Sequence, residues 1–284
     1  MTRSSRWEVL IIRHGTLATT RAAMFRNPDA PDSPQRIDYY LWVIRSPEES
    51  ILVDTGSSAA AMRERARTVT FPPSEALAEL GLDARWAGTV VLTHAHWDHT
   101  GHLAALPAAH VVMDRAEYEF WQSPESREPA VRSLADERDL AELERIARGG
   151  RLTLLSPDVA GTEIRPGVRL LPAAGHTPGQ LMVEVDTAAG PVLLTSDAVH
   201  FDEELERRLP FRHMTDVRKA HESYMAIALR ERGDFGAHGA LVIAGHEPGL
   251  LERYPPADGA LAGHAALIGH EAAPTASPLE EQAG

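Results

Sequence analysis

Four side chains able to bind a metal fall within six residues, in His94-Ala95-His96-Trp97-Asp98-His99. The stretch directly follows a β-branched run at 89–93 that reads as a buried strand. In a loop leaving a strand end, His94 and His96 project to one side and can reach one ion. Asp98 and His99 lie on the next turn and can reach a second ion. The chain holds 14 His and no Cys. Disulfides, thiolate zinc sites, iron–sulfur clusters and a Cys nucleophile are thereby excluded, and any metal must be held by imidazole and carboxylate. Three further donors sit at strand ends beside Gly or Pro: His176 in Gly175-His176-Thr177-Pro178-Gly179, Asp197 in Thr195-Ser196-Asp197-Ala198, and His246 in Ala244-Gly245-His246-Glu247-Pro248. Such positions gather the functional groups of α/β folds.

With Asp54-Thr55-Gly56 added, these residues resemble the metallo-β-lactamase fold superfamily, in the expected order from about residue 9 to residue 252. The resemblance implies an α/β fold of the αββα sandwich type, two central mixed β-sheets flanked by helices. It implies two divalent metal ions, with zinc as the default and cobalt, manganese or iron as alternatives. His94, His96 and His176 would hold the first ion and Asp98, His99 and His246 the second. Asp197 would bridge them, and Asp54 would orient ligands. Two adjacent ions hold a hydroxide between them at neutral pH and polarise a carbonyl. Asp98 could relay a proton.

Within the superfamily the resemblance points to the N-acyl-homoserine lactonases, and so to a quorum-quenching activity. It is carried by Leu52-Val53-Asp54-Thr55-Gly56, Asp114-Arg115-Ala116-Glu117-Tyr118, Pro166-Gly167-Val168-Arg169-Leu170-Leu171 and Val192-Leu193-Leu194-Thr195-Ser196-Asp197-Ala198. Those lactonases typically carry Tyr three residues after the bridging Asp; here that residue is His200. An imidazole can also donate to an oxyanion or protonate an alkoxide, so His200 joins Asp98 as a candidate catalytic residue. A mobile segment around Met24 and Phe25 would offer apolar surface to an acyl chain. The substrate class is a small lactone or carboxylic ester. The alternative is a glyoxalase-II-like thioesterase, but that group usually adds a basic C-terminal helical region, and Arg253 is the only Lys or Arg after His246. His102 takes no role, and His213 and His221 read as ordinary polar residues.

The elements that must position these groups alternate strand and helix. Strands are expected at 7–13, 37–45, 50–54, 89–93, 110–113, 168–171, 181–185, 192–195 and 240–244. Helices are expected from Ser57 or Ser58 to about 66, at 74–81, at 103–106 and at 217–232, with a charged helical insert at about 115–150. One hydrolase domain then spans 1–256, and an Ala/Gly/Pro-rich tail, read as loosely ordered, covers 257–284. The 284 residues carry 41 Asp and Glu against 28 Lys and Arg, a net charge of −13. That balance argues against nucleic acid and favours a small neutral substrate. The apolar stretch at 9–12 is too short for a signal peptide or a membrane span. A cytoplasmic protein with no membrane partner is expected, and a homodimer is left open.

Overall fold

The computed structural model describes residues 7–157, 161–233 and 239–269. The first sheet is built from β1 (Glu8–Thr20), β2 (Pro34–Arg45), β3 (Ser50–Val53), β4 (Thr68–Val69), β5 (Thr89–Val91), β6 (His110–Asp114) and β7 (Leu152–Leu155). The second contains β8 (Thr162–Arg165), β9 (Val168–Pro172), β10 (Leu181–Thr187), β11 (Gly190–Ser196) and β12 (Leu241–Ala244). A last strand, β13 (Ala265–Ile268), returns to the first sheet. The orders are β13-β1-β2-β3-β5-β6-β7, with β4 on β1, and β12-β11-β10-β9-β8. Both sheets are mixed: β3, β5, β6 and β7 pair in parallel, as do β11 and β12, and the other pairs are antiparallel.

Side-chain alternation separates three apolar layers. From β1, Val9 and Ile11 face the second sheet, with Trp42, Ile51, Val91, Val183 and Val192 in the same layer. Leu10 and Ile12 face the opposite way, toward α3 (Pro73–Glu79), α5 (Arg115–Gln122) and α7 (Glu137–Arg148). On the far side of the second sheet, Met182 and Leu193 pack on α9 (Val217–Glu231) through Ala220, Tyr224 and Ile227. Helices therefore flank two stacked sheets in the expected αββα order. The smaller helices are α1 (Arg21–Met24), α2 (Ala59–Glu64), α4 (Trp97–Thr100), α6 (Pro129–Arg132), α8 (Asp202–Arg207) and α10 (Leu250–Arg253). No helix among the described residues is long and apolar enough to cross a membrane.

Several expectations change. β1 continues past Arg13 because His14-Gly15 is a register shift against β2, not a strand end. The helix expected at 103–106 is a single tight turn at Leu103–Ala105. The charged insert is helical in pieces, broken near Pro124 and Pro129, and α7 turns Leu140, Leu143 and Ile146 into the core while most of its charges face water and Asp139 accepts from the Thr100 hydroxyl. The strands β4, β7 and β8 have no clear sequence signal because they are short, β4 exposed and β7 and β8 half-exposed, with weak alternation.

Residues beyond 256 also take part in the first sheet. Residues 265–268 pair antiparallel with 9–12 of β1, and Ala265, Ala266 and Ile268 are buried. An Ala-rich segment forms a strand here because small side chains fit against a waiting sheet edge. Residues 270–284 of the expected tail lie outside the described residues. Ile268→Ala removes a buried side chain from this strand and is expected to cost about 2–5 kcal/mol, read as a lower denaturation midpoint in a urea titration.

Candidate metal centre

All seven donors named from the sequence meet at one end of the sandwich, where β5, β11 and β12 end and β9 turns into β10. Their ligand atoms form two groups, each with its members within 4.8 Å of one another: His94, His96, His176 and Asp197, then Asp98, His99 and His246. All seven are buried. Asp197 lies between the groups. Its Oδ2 is 3.7 Å from His94 Nε2 and 3.3 Å from His176 Nε2, and its Oδ1 is 3.2 Å from His99 Nε2 and 3.1 Å from His246 Nε2. Asp98 completes the second group, with Oδ1 3.8 Å from His99 Nε2 and Oδ2 3.7 Å from His246 Nε2.

The backbone is bent to bring these groups in. Ser196, just before Asp197, has φ +46°, and the β11–β12 register shifts between Leu194 and Ser196. A Cβ on Gly245 would lie 2.5 Å from the Ser196 carbonyl oxygen. The chain ends carrying Asp197 and His246 therefore press backbone against backbone. Asp54 sits at φ +59°, a left-handed conformation that Asp tolerates better than most residues.

Three imidazoles are anchored from behind. His99 Nδ1 lies 2.8 Å from Asp54 Oδ2, His94 Nδ1 3.1 Å from Thr93 Oγ1, and His246 Nδ1 2.7 Å from the Asp38 carbonyl oxygen. Asp54 also accepts from the Thr93 N–H and hydroxyl, each at 2.8 Å. Protons held at these Nδ1 atoms leave the Nε2 lone pairs turned toward Asp197. The Nε2 atoms of His94 and His99 are buried with no aligned hydrogen-bond partner. Orphaned lone pairs converging with carboxylate oxygens are the donor set that a divalent cation satisfies.

Burial pushes the His96 imidazole down to about 3 and holds those of His94 and His176 well below their ordinary value. Burial acts the same way on His99, but Asp197, Asp54 and Asp98 outweigh it and hold that ring well above. Burial would raise Asp197, yet His246, His99, His200 and His94 hold it well below the usual carboxylate range. The first three rings thus stay neutral, the form in which imidazole binds metal.

His200 lies beside the groups. Its Nε2 is 3.1 Å from Asp197 Oδ2 and its Nδ1 is 3.2 Å from Glu204 Oε1, both at ion-pair distance and neither aligned for a hydrogen bond. Its ring stacks on Phe211 with centroids 3.5 Å apart. Met24 lines a cavity of about 120 Å³ together with these groups. Phe25 does not line it. Phe25 is fully buried and packs on Phe201, so the expected mobile apolar segment is partly core.

Two buried glutamates escaped the sequence reading. Glu204 accepts from the backbone N–H groups of His200, Phe201 and Phe211 and from the Tyr224 hydroxyl. Glu117 accepts from Ala95 N–H at 3.0 Å, Trp121 Nε1–H at 2.8 Å and Gly179 N–H at 3.1 Å. It ties the loop of His94 and His96 to the loop of His176. A Cβ on Gly179 would come within 2.3 Å of the Glu117 nitrogen. The only sequence signal was position: Glu117 falls in one stretch that carried the family resemblance, but nothing local gives its partners.

Comparison with known proteins adds to this geometry. The sequence model of the metallo-beta-lactamase superfamily matches residues 38–246. An N-acyl homoserine lactonase of Bacillus sp is 29% identical over 194 residues, which cover 62% of this chain and 70% of that protein. A hydroxyacylglutathione hydrolase of Cupriavidus taiwanensis is 29% identical over 163 residues, covering 57% of this chain and 49% of that protein. Among solved structures, a quorum-quenching N-acyl homoserine lactone lactonase superposes with a TM-score of 0.72 at 22% identity, covering 87% of this chain and 95% of that one.

Glu117→Gln replaces an acceptor-only carboxylate with an amide and leaves a buried N–H of Ala95 or Gly179 without its acceptor. The expected loss is about 1–3 kcal/mol, measured by denaturant titration, with faster amide exchange at Ala95 and Gly179.

Proposed function

The chain belongs to the metallo-beta-lactamase superfamily, and on that premise we propose a two-metal hydrolase that opens a lactone or small carboxylic ester. In this reading it is of the N-acyl-homoserine lactonase kind, and quorum quenching is its proposed role. The observation that carries it is Asp197, whose two oxygens face two separate sets of imidazoles. A carboxylate so placed is suited to bridging two cations. His94, His96 and His176 would hold one, and Asp98, His99 and His246 the other. An all-nitrogen and oxygen donor set suits zinc, which we propose, and also cobalt, manganese or iron. Two such ions, when bound, supply activation of water and polarisation of the carbonyl under attack.

The chain's own residues do the rest. Asp54, Thr93 and the Asp38 carbonyl hold the imidazoles of His99, His94 and His246 in register. Asp98 offers a carboxylate to take a proton from the attacking water. His200 stands between Asp197 and Glu204 with its plane fixed by Phe211. It would carry a proton to the leaving alkoxide, the part expected of the residue at this position. Burial around the inner cavity strengthens each of these polar contacts.

The test is a pH-indicator screen of lactones, esters and thioesters with protein whose content of two metal equivalents has been verified by elemental analysis. Turnover of lactones or esters is expected, and no turnover by that loaded protein overturns the reading. Faster hydrolysis of S-lactoylglutathione than of every lactone would favour the thioesterase instead. Alongside, His200→Ala is expected to lower kcat by about 10²–10⁴-fold, the range of a lost general acid, while His200→Tyr restores part of it. An unchanged kcat in His200→Ala would remove His200 from the mechanism.

A further inference from the structure

Against the inner cavity lies a second one of about 430 Å³. The two share His96, Leu134, His176 and His213 on their walls, so one molecule can reach from the proposed metal ligands into the outer space. That volume suits a small organic ligand. Phe120, Val131 and Met214 supply its apolar lining, and Arg26 and Arg212 its exposed rim.

The two arginines are neighbours. Arg26 donates from Nε to the Arg212 carbonyl at 3.2 Å and from Nη2 to the Met214 carbonyl at 3.4 Å. Arg212 donates from Nη1 to the Ala22 carbonyl at 2.8 Å. These contacts aim the guanidiniums without neutralising them. Among the described residues no ion pair joins either one to a carboxylate, whereas arginines of the helical insert are paired, Arg132 with Glu137 and Arg145 with Glu142. Glu125 is the one carboxylate on the lining; it is ionised, its own backbone N–H and then the Ser123 hydroxyl holding it below the usual range, so the two arginines outnumber it two to one. His213, on the same wall, is held below its ordinary value by burial first, then by His200, Arg212 and Arg26.

We infer that the outer cavity takes an anionic group at the far end of the substrate, so that the preferred class is a lactone or ester whose acyl chain ends in a carboxylate. Each guanidinium keeps N–H groups to offer, in the fork that matches a carboxylate. The apolar wall would carry the methylenes between that end and the reacting carbonyl. The inference rests on the lactone or ester reading above.

The experiment compares N-hexanoyl-homoserine lactone with an analogue in which the terminal methyl is a carboxylate, for the metal-loaded protein and for the double variant Arg26→Gln, Arg212→Gln. The acid-ended analogue is expected to show a kcat/KM about tenfold higher, the scale of a rim charge effect. The preference should fall in 0.5 M salt, as screening predicts. In the double variant it should collapse toward one, through KM rather than kcat. Equal kcat/KM for the two lactones, or a preference that survives the double substitution, overturns the inference while leaving the lactonase reading intact. If neither lactone is opened, that reading fails separately, and calorimetry decides the anion site. Adipate binding more tightly than hexanoate, with the difference lost in the double variant, supports it. Equal binding of the two acids overturns it.

Discussion

An ionised carboxylate buried among imidazoles is costly unless every polar atom around it is matched. Asp197 is 3% exposed and has five histidine rings close by. Much of the local architecture follows from holding that cluster together. Thr93 shows the economy of the arrangement. Its hydroxyl touches Asp54, His94 and Ser196, joining the ends of β3, β5 and β11 behind the cluster. The positive φ angles at Asp54 and Ser196 fall on this same set. Local strain is thus placed where surrounding contacts over-determine the backbone.

Further out, two acids brace the loops. Glu117 lies under the loops of His94, His96 and His176. Glu204 gathers the backbone around His200, Phe201 and Phe211. Burial raises the Glu117 carboxyl above its usual range, against the hydrogen bonds from Trp121, Ala95 and Gly179. A buried acid with three donors is a fixed strut, because losing any one donor exposes the full desolvation cost of the group.

The donors were legible in the sequence because six residues of one loop carry four of them, and the others stand at strand ends marked by Gly and Pro. The layered α/β fold was legible from its apolar runs. What escaped acts only across the fold. Glu117, Glu204 and the Asp38 carbonyl have no local pattern, since their partners lie far away in sequence. Phe25 looked like free apolar surface because nothing nearby in the chain reveals Phe201 and Phe211. Net charge is likewise silent about single cavities. A total of −13 describes the whole surface, while one cavity mouth carries Arg26 and Arg212 beside a single carboxylate, Glu125. Fields inside a cleft follow the nearest charges rather than the sum.

The pairing of β13 with β1 has a consequence for how the molecule is made. Among the described residues, the outer hydrogen-bonding edge of residues 9–12 on β1 is covered by 265–268 alone, which follow far later in the chain. Throughout synthesis of the intervening chain that edge is open to any other strand. Closing it joins segments from nearly opposite ends of the described sequence, a non-local step that folds slowly. Until β13 docks, the open edge of β1 is a place where a neighbouring chain can pair instead.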